Sequence, residues 1–212
     1  MEYIHNTEQF QFHNTVVALG KFDGMHKGHQ LIFDELIQYK QLGYQAAVFS
    51  FDRPPLNMLK HKHMRVIYTT NEKIKLLARR GIDIYIEHPF TDEFSHLSPE
   101  DFVIKVLLEK TGMKVLVVGD DCGFGYKRQG NVELLERMSK EYDFKLIVIP
   151  KLELEGEIVS STRIRHLLSE GKVEEANRLM EDPFMICGSV VHGNHMGAEV
   201  LQMPTANQIP LE

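Results

Sequence analysis

The chain has 212 residues, of which 43% are hydrophobic, enough to bury a core in one domain with room for a small second one. Its formal net charge of -6 argues against a general nucleic-acid binder, which needs a basic surface to displace counterions from the phosphate backbone. The opening stretch is polar and no apolar run approaches the length of a membrane span, so we predict a cytoplasmic protein without a membrane partner. Cys122 and Cys187 are too few for a disulfide framework or a zinc site, so we predict reduced thiols with structural roles and assign no metal-ligating residue.

Apolar segments alternate with helical patterns along the chain as far as Pro150. Strands that alternate with helices form right-handed crossover units and a parallel sheet. The sequence therefore predicts an α/β fold with a five-stranded parallel sheet, its strands at residues 16–19, 46–51, 82–86, 115–118 and 146–149.

The turn that follows the first of these strands is rich in glycine and histidine, and it reads Gly-Lys-Phe-Asp-Gly-Met-His-Lys-Gly-His over residues 20–29. A helix that begins near Lys27 directs free N–H groups and a positive dipole end into this turn, and glycines let a ligand approach the backbone closely. His26 and His29 could both face one phosphate chain and donate hydrogen bonds without a permanent charge. By themselves, a glycine-rich turn or a pair of histidines is often only ordinary surface structure.

Three further helices have clear boundary signals. Residues 72–80 follow Thr70 and Asn71, either of which could be the N-cap, and stop at Gly81. Ser98 and Pro99 begin a second helix that leads into residues 102–108, and Asn131 begins a third that runs to about Tyr142.

The pattern changes after Pro150. Residues 160–168 and 173–180 read as a helical pair, and residues 184–192 and 200–203 read as short strands, so we predict a C-terminal helical and β fragment. The first helix opens with Ser-Ser-Thr, which could serve only as a helix cap. Arg163 and Arg165 change this interpretation, because a helix N-terminus disfavours cations unless an anion is also bound, and guanidinium groups match phosphate oxygens. We predict a second polyphosphate-binding site here.

Two other segments could contribute to a pocket. In the loop of residues 119–130, Phe124 and Tyr126 could stack on a planar ring, while Asp120 and Asp121 could accept hydrogen bonds or hold water around a metal. An ordinary turn with solvated acids is the simpler alternative. Pro54 and Pro55 could wall a pocket or merely stiffen a connection.

The motif Phe-Asp-Gly-x-His-x-Gly-His, in a strand–turn–helix context, resembles the signature of nucleotidyltransferases. Three further segments extend the likeness: residues 90–102, residues 117–125, and the Val-Ser-Ser-Thr-Arg-Ile-Arg run at 159–165. With these, the chain resembles the bacterial riboflavin kinase/FMN adenylyltransferase (FAD synthetase) family over its whole length.

The resemblance implies a Rossmann-like nucleotidyltransferase domain over residues 1–182 that transfers AMP from ATP to FMN, with magnesium, to give FAD and pyrophosphate. It implies that His26, His29 and Arg165 are catalytic. The implied ATP contacts are Gly20, Phe22, Asp23, Gly24, Gly28, Ser161, Thr162 and Arg163, and the implied flavin contacts are Pro54, Pro55, Asp121 and Phe124. Asp52-Arg53-Pro54-Pro55 departs from the proline–histidine–proline pattern usual in the family.

Residues 183–212 resemble the start of the family's riboflavin kinase barrel, at residues 190–193 and 204–207. This segment is too short to close a small β-barrel, so we predict no kinase activity in these residues. Either the protein is a monofunctional adenylyltransferase or the chain is truncated, and Leu211 and Glu212 could be a cloning scar. Two other functions stay open: a nucleotidyltransferase for another phosphate-bearing small molecule, and a non-catalytic flavin or nucleotide sensor.

Overall fold

The computed structural model describes residues 1–52, 65–191 and 207–210. Its centre is a six-stranded sheet with the order β1-β4-β3-β2-β5-β6. Every neighbouring pair of these strands is parallel. The strands are β1 (Glu2–His5), β2 (Thr15–Leu19), β3 (Gln45–Phe51), β4 (Ile84–His88), β5 (Met113–Gly119) and β6 (Lys145–Ile149). The predicted α/β class and parallel pairing are confirmed.

The prediction of five strands is wrong, because β1 adds a sixth at the edge of the sheet. Its residues are at most half-buried, and so it lacks the continuous apolar run that marks the central strands. Tyr3 secures it: its hydroxyl donates to Glu87 at 2.6 Å, and its ring stacks on Tyr85.

Helices cover both faces of the sheet. They are α1 (Lys27–Gln41), α2 (Thr70–Arg79), α3 (Asp92–Ser95), α4 (Pro99–Asp101), which continues as a π-helix (Phe102–Lys110), α5 (Val132–Glu141), α6 (Ser161–Ser169) and α7 (Val173–Leu179). Alternate residues of β2 enter different cores: Val16 and Ala18 pack with α1 and α6, whereas Val17 and Leu19 pack with the π-helix and α5. Both faces are therefore buried, as expected for a parallel sheet.

Two of the boundaries that differ from the prediction have a clear physical reason. The N-cap of α2 is Thr69 rather than Thr70 or Asn71, since Thr69 and Glu72 form a reciprocal capping box. The fourth strand begins at Ile84, two positions later than predicted, and extends to His88, whose side chain is buried. Ile82 is buried in the preceding turn, which explains why an apolar pattern alone placed it in the strand.

The C-terminal part contains two small antiparallel ribbons. One pairs β7 (Glu153–Leu154) with β8 (Glu157–Ile158) just before α6, and the other pairs β9 (Gly188–Val191) with β10 (Asn207–Pro210). The first predicted terminal strand contains β9, and the predicted strand at 200–203 lies outside the described residues. In the part of the chain that the structure describes, no helix is long and apolar enough to cross a membrane.

Candidate active site

The loop from β2 to α1 places two imidazoles side by side at a helix start. His26 is the N-cap of α1, and its Nδ1 accepts a hydrogen bond from the His29 backbone N–H at 3.3 Å. The two rings stack, with centroids 3.5 Å apart, and the Phe22 ring meets His29 edge-on at 5.2 Å. A Cβ on Gly28 would approach His26 Nδ1 to 3.2 Å, so glycine gives the ring room to lie against the helix.

Both imidazoles are neutral at physiological pH. Burial lowers the pKa of His26 to about 4, and burial together with the neighbouring His26 lowers the pKa of His29 well below its ordinary value. Since His26 Nδ1 accepts a hydrogen bond, its proton is on Nε2, where it can be donated to an anion. The buried Nδ1 of His29 has no hydrogen-bond partner among the described residues.

The start of α6 lies against the same loop. Ser160 is the N-cap, and its hydroxyl accepts from the Arg163 backbone N–H. The Ser161 hydroxyl donates to the backbone carbonyl of Asp23, and Arg165 Nη2 lies 2.9 Å from Asp23 Oδ2. The start of α6 is thus in direct contact with the loop that leads into α1.

The Asp23 carboxylate has further donors. It accepts hydrogen bonds from the backbone N–H of Ile67 at 2.9 Å and of Tyr68 at 3.2 Å. Gly24 follows it with φ of +84°, a conformation that favours glycine, and a Cβ there would lie 2.7 Å from Ile67 Cδ1. Asp23 therefore connects three segments: the β2–α1 loop, α6, and the residues before α2.

A cavity of about 490 Å³ opens between the two helix starts and the ends of β2, β5 and β6. This is the carboxyl edge of the sheet, where open α/β folds bind ligands. The sequence-predicted site residues that line it are Gly20, Phe22, Asp23, His26, Gly28, His29, Asp121, Phe124, Ser161, Thr162 and Arg165. The structure brings the two predicted phosphate-binding motifs to one cavity.

Four predicted site residues are not in this group. Gly24 does not line the cavity, and Arg163 faces elsewhere, with its Nη2 2.8 Å from Glu157 Oε2. Pro54 and Pro55 lie outside the described residues.

A smaller cavity of about 60 Å³ adjoins the first. Aromatic rings dominate its lining, and the two cavities have Phe51, Gly123, Phe124 and Arg128 in common. Its other residues are Phe90, Phe94, Ser95, Leu97, Phe102 and Gly125. The combined space is cationic and polar at one end and aromatic at the other.

Sequence reasoning missed three cationic residues that line the main cavity, namely Lys21, Arg128 and Lys151. Burial lowers the pKa of Lys21, and so do the charges of Arg128 and Arg165 nearby. Lys151 Nζ lies 3.3 Å from Asp121 Oδ2, so this acid is paired rather than free. Lys21 lies in the glycine-rich turn of residues 20–29, and Arg128 lies in the loop of residues 119–130. A positive charge close to glycines was the signal that could have identified both.

Comparisons with known proteins agree with this geometry. The family model described as FAD synthetase matches residues 8–163. The bifunctional riboflavin kinase/FMN adenylyltransferase of Buchnera aphidicola subspecies Schizaphis graminum is 39% identical over 207 residues, which are 96% of this chain and 66% of that protein. A protein named FAD synthetase from Listeria monocytogenes is 32% identical over 191 residues, 89% of this chain and 77% of that protein.

The chain thus spans about two thirds of the length of the bifunctional relatives. A crystal structure described as a macrolide-efflux protein from Streptococcus pneumoniae superposes with a TM-score of 0.84 at 31% identity, covering 99% of this chain and 69% of that one. Because the family model matches most of the length of this chain, the chain belongs to the FAD synthetase family.

Proposed function

We propose that the chain is an FMN adenylyltransferase, which transfers AMP from ATP to the phosphate of FMN and releases pyrophosphate. One observation carries the proposal: the histidine pair and the start of α6 face one cavity, and that cavity continues into an aromatic one. A polyphosphate and a flat aromatic ring are the ligands that such a pair of environments suits.

The polar end would hold ATP. His26 and His29 contact the phosphates and donate hydrogen bonds while remaining neutral, and their low pKa values support this role. Thr162 and Arg165 hold the β- and γ-phosphates with their side chains. Ser161, whose hydroxyl donates to the Asp23 carbonyl, contributes its backbone N–H at the positive end of α6. The charge that builds up on the leaving pyrophosphate is thereby stabilised.

The aromatic end would hold the flavin. Phe51 and Phe124 line both cavities and offer ring surface against which the isoalloxazine can pack. Asp121, whose carboxylate is paired with Lys151, lines the main cavity. Arg128 lies where the two cavities join, the position in which the FMN phosphate would meet the α-phosphate of ATP.

The chemistry needs no general base. A phosphate oxygen of FMN is already ionised at neutral pH; it forms the new bond to the α-phosphorus while the bond to the bridging oxygen of the β-phosphate breaks. Alignment of the two substrates can supply roughly 7–11 kcal/mol of the barrier reduction. In proteins Mg²⁺ is usually held by one or two carboxylates together with substrate phosphates and water, so we expect magnesium to bind here chiefly through ATP phosphate oxygens and water.

We further propose that residues 1–182 form the catalytic unit, that residues 183–212 are a separate fragment, and that the enzyme acts in the cytoplasm on small molecules rather than nucleic acid. The pairing of β9 with β10 outside the central sheet supports the division, although Phe184 and Met185 pack against the core of the first unit.

The test is a direct assay. The protein is incubated with ATP, magnesium and FMN, and the products are separated by chromatography; a parallel reaction with riboflavin in place of FMN tests for kinase activity. We expect FAD and pyrophosphate in equal amounts from the first reaction. FMN binding without turnover would instead indicate a sensor, and AMP transfer to a different phosphate-bearing molecule would indicate another nucleotidyltransferase.

A further inference from the structure

We infer that Asp23 is a positioning residue: rather than contacting ATP, it orients Arg165 and sets the spacing of the two phosphate-binding helix starts. The inference rests on the proposed function. It differs from the sequence prediction, which placed Asp23 among the ATP contacts.

Both carboxylate oxygens of Asp23 already accept hydrogen bonds from the protein. Oδ1 accepts from the backbone N–H groups of Ile67 and Tyr68, and Oδ2 accepts from Arg165 Nη2 at 2.9 Å. Both partners of the ion pair are mostly buried, since 13% of the Asp23 side chain and 19% of the Arg165 side chain are exposed. A carboxylate in this position would repel a phosphate, whereas it can hold a cation that attracts one.

Arg165 is the fifth residue of α6, and its side chain is mostly buried. The Asp23 carboxylate offsets the cost of removing this positive charge from water. One guanidinium nitrogen, Nη2, is held by Asp23, while the buried Nε has no hydrogen-bond partner among the described residues. Asp23 therefore fixes the guanidinium of Arg165 at one nitrogen. Its other N–H groups remain available as donors, and Arg165 lines the main cavity.

The backbone around Asp23 is itself held in place. The Ser161 hydroxyl donates to its backbone carbonyl, and the close contact of Gly24 with Ile67 leaves no room for a side chain there. Through Asp23, the loop that carries the histidines and the helix that carries Arg165 keep one relative position. Alignment of this kind is what a transfer reaction between two bound substrates requires.

A double-mutant cycle tests the inference, with Asp23→Asn, Arg165→Ala and the double variant. Asparagine retains an oxygen for the Ile67 and Tyr68 amides and loses the charge that holds Arg165, so it removes mainly one interaction. We expect D23N to lower kcat/KM for ATP by about tenfold, a cost of roughly 1.4 kcal/mol, with KM for FMN changed less than about twofold. In the Arg165→Ala background the same substitution should lower kcat/KM for ATP by less than about twofold.

Losses that multiply in the double variant would show that Asp23 acts independently of Arg165 and would overturn the inference. Asp101→Asn, which removes an exposed ion pair with Lys105 on the opposite face of the sheet, is the matched control and should behave as wild type. If D23N fails to fold, Arg165→Lys and the pair Asp23→Glu with Arg165→Lys replace it. The longer glutamate should then recover activity lost with lysine, and no recovery would count against the inference.

The same cycle is run on ATP affinity by calorimetry, so that the two proposals can fail separately. If the wild-type protein binds ATP but makes no FAD, and the losses of ATP affinity in the variants are coupled, the proposed transfer is refuted and the role of Asp23 stands. If the wild-type protein makes FAD but the losses in the two single variants multiply in the double variant, only the role of Asp23 is refuted. Absence of ATP binding would overturn both.

Discussion

The buried, neutral state of the histidine pair predicts that acid destabilises the fold, and that His26→Asn weakens this effect. Asparagine can still accept the hydrogen bond from the His29 backbone N–H, because it is among the preferred N-cap residues. It cannot take up a proton. The substitution therefore separates the capping role of His26 from its titration.

The magnitude follows from the pKa difference. The pKa of His26 is about 4 in the folded protein against 6.5 for an ordinary histidine, and the side chain is only 8% exposed. Below pH 6.5 the unfolded chain binds a proton that the folded protein does not, so stability is fully present above that pH and falls as the pH drops toward 4. At about 1.36 kcal/mol per pH unit, His26 accounts for about 2 kcal/mol between pH 6.5 and pH 5.

Urea unfolding at pH 7.5 and at pH 5 measures the effect. The loss of unfolding free energy between these conditions should be smaller in His26→Asn than in wild type by about 2 kcal/mol. His96→Asn, which removes an exposed imidazole, is the control and should keep the wild-type dependence, because the buried pair is intact. Equal losses in wild type and His26→Asn would refute the conclusion that burial holds His26 neutral.

Three substitutions test the proposed roles in the FAD assay. His29→Ala should lower kcat by orders of magnitude with FMN affinity nearly unchanged, since a contact that strengthens in the transition state is lost, and an unchanged kcat would remove His29 from the mechanism. Arg165→Ala should raise KM for ATP, lower kcat, or both; wild-type values for both would reduce the motif to a helix start. Arg128→Ala should raise KM for FMN by about tenfold and KM for ATP much less, as expected for a charged phosphate contact at the junction of the cavities, and an equal effect on both substrates would contradict that placement.

The features that depend on nearby residues could be predicted from the sequence. Apolar runs alternating with capped helices indicated a parallel α/β sheet, because strand and helix periodicities are local and parallel strands need crossover helices. For the same reason, the glycines and histidines of residues 20–29 and the Ser-Ser-Thr-x-x-Arg segment led to the prediction of two phosphate-binding helix starts, and the structure confirms that both segments begin helices. Their meeting at one edge was an expectation from the sheet's topology, and the common cavity agrees with it.

Tertiary structure alone decided the rest. The ion pair of Asp23 with Arg165 joins residues 142 positions apart, and no local pattern separates an aspartate that binds substrate from one that holds an arginine. The low pKa values of the histidines come from burial by surrounding segments, which sequence spacing does not measure. The edge strand β1 pairs with β4, and the Tyr3 hydroxyl donates to Glu87, 84 positions away, so this strand depends on a partner that is distant in the sequence.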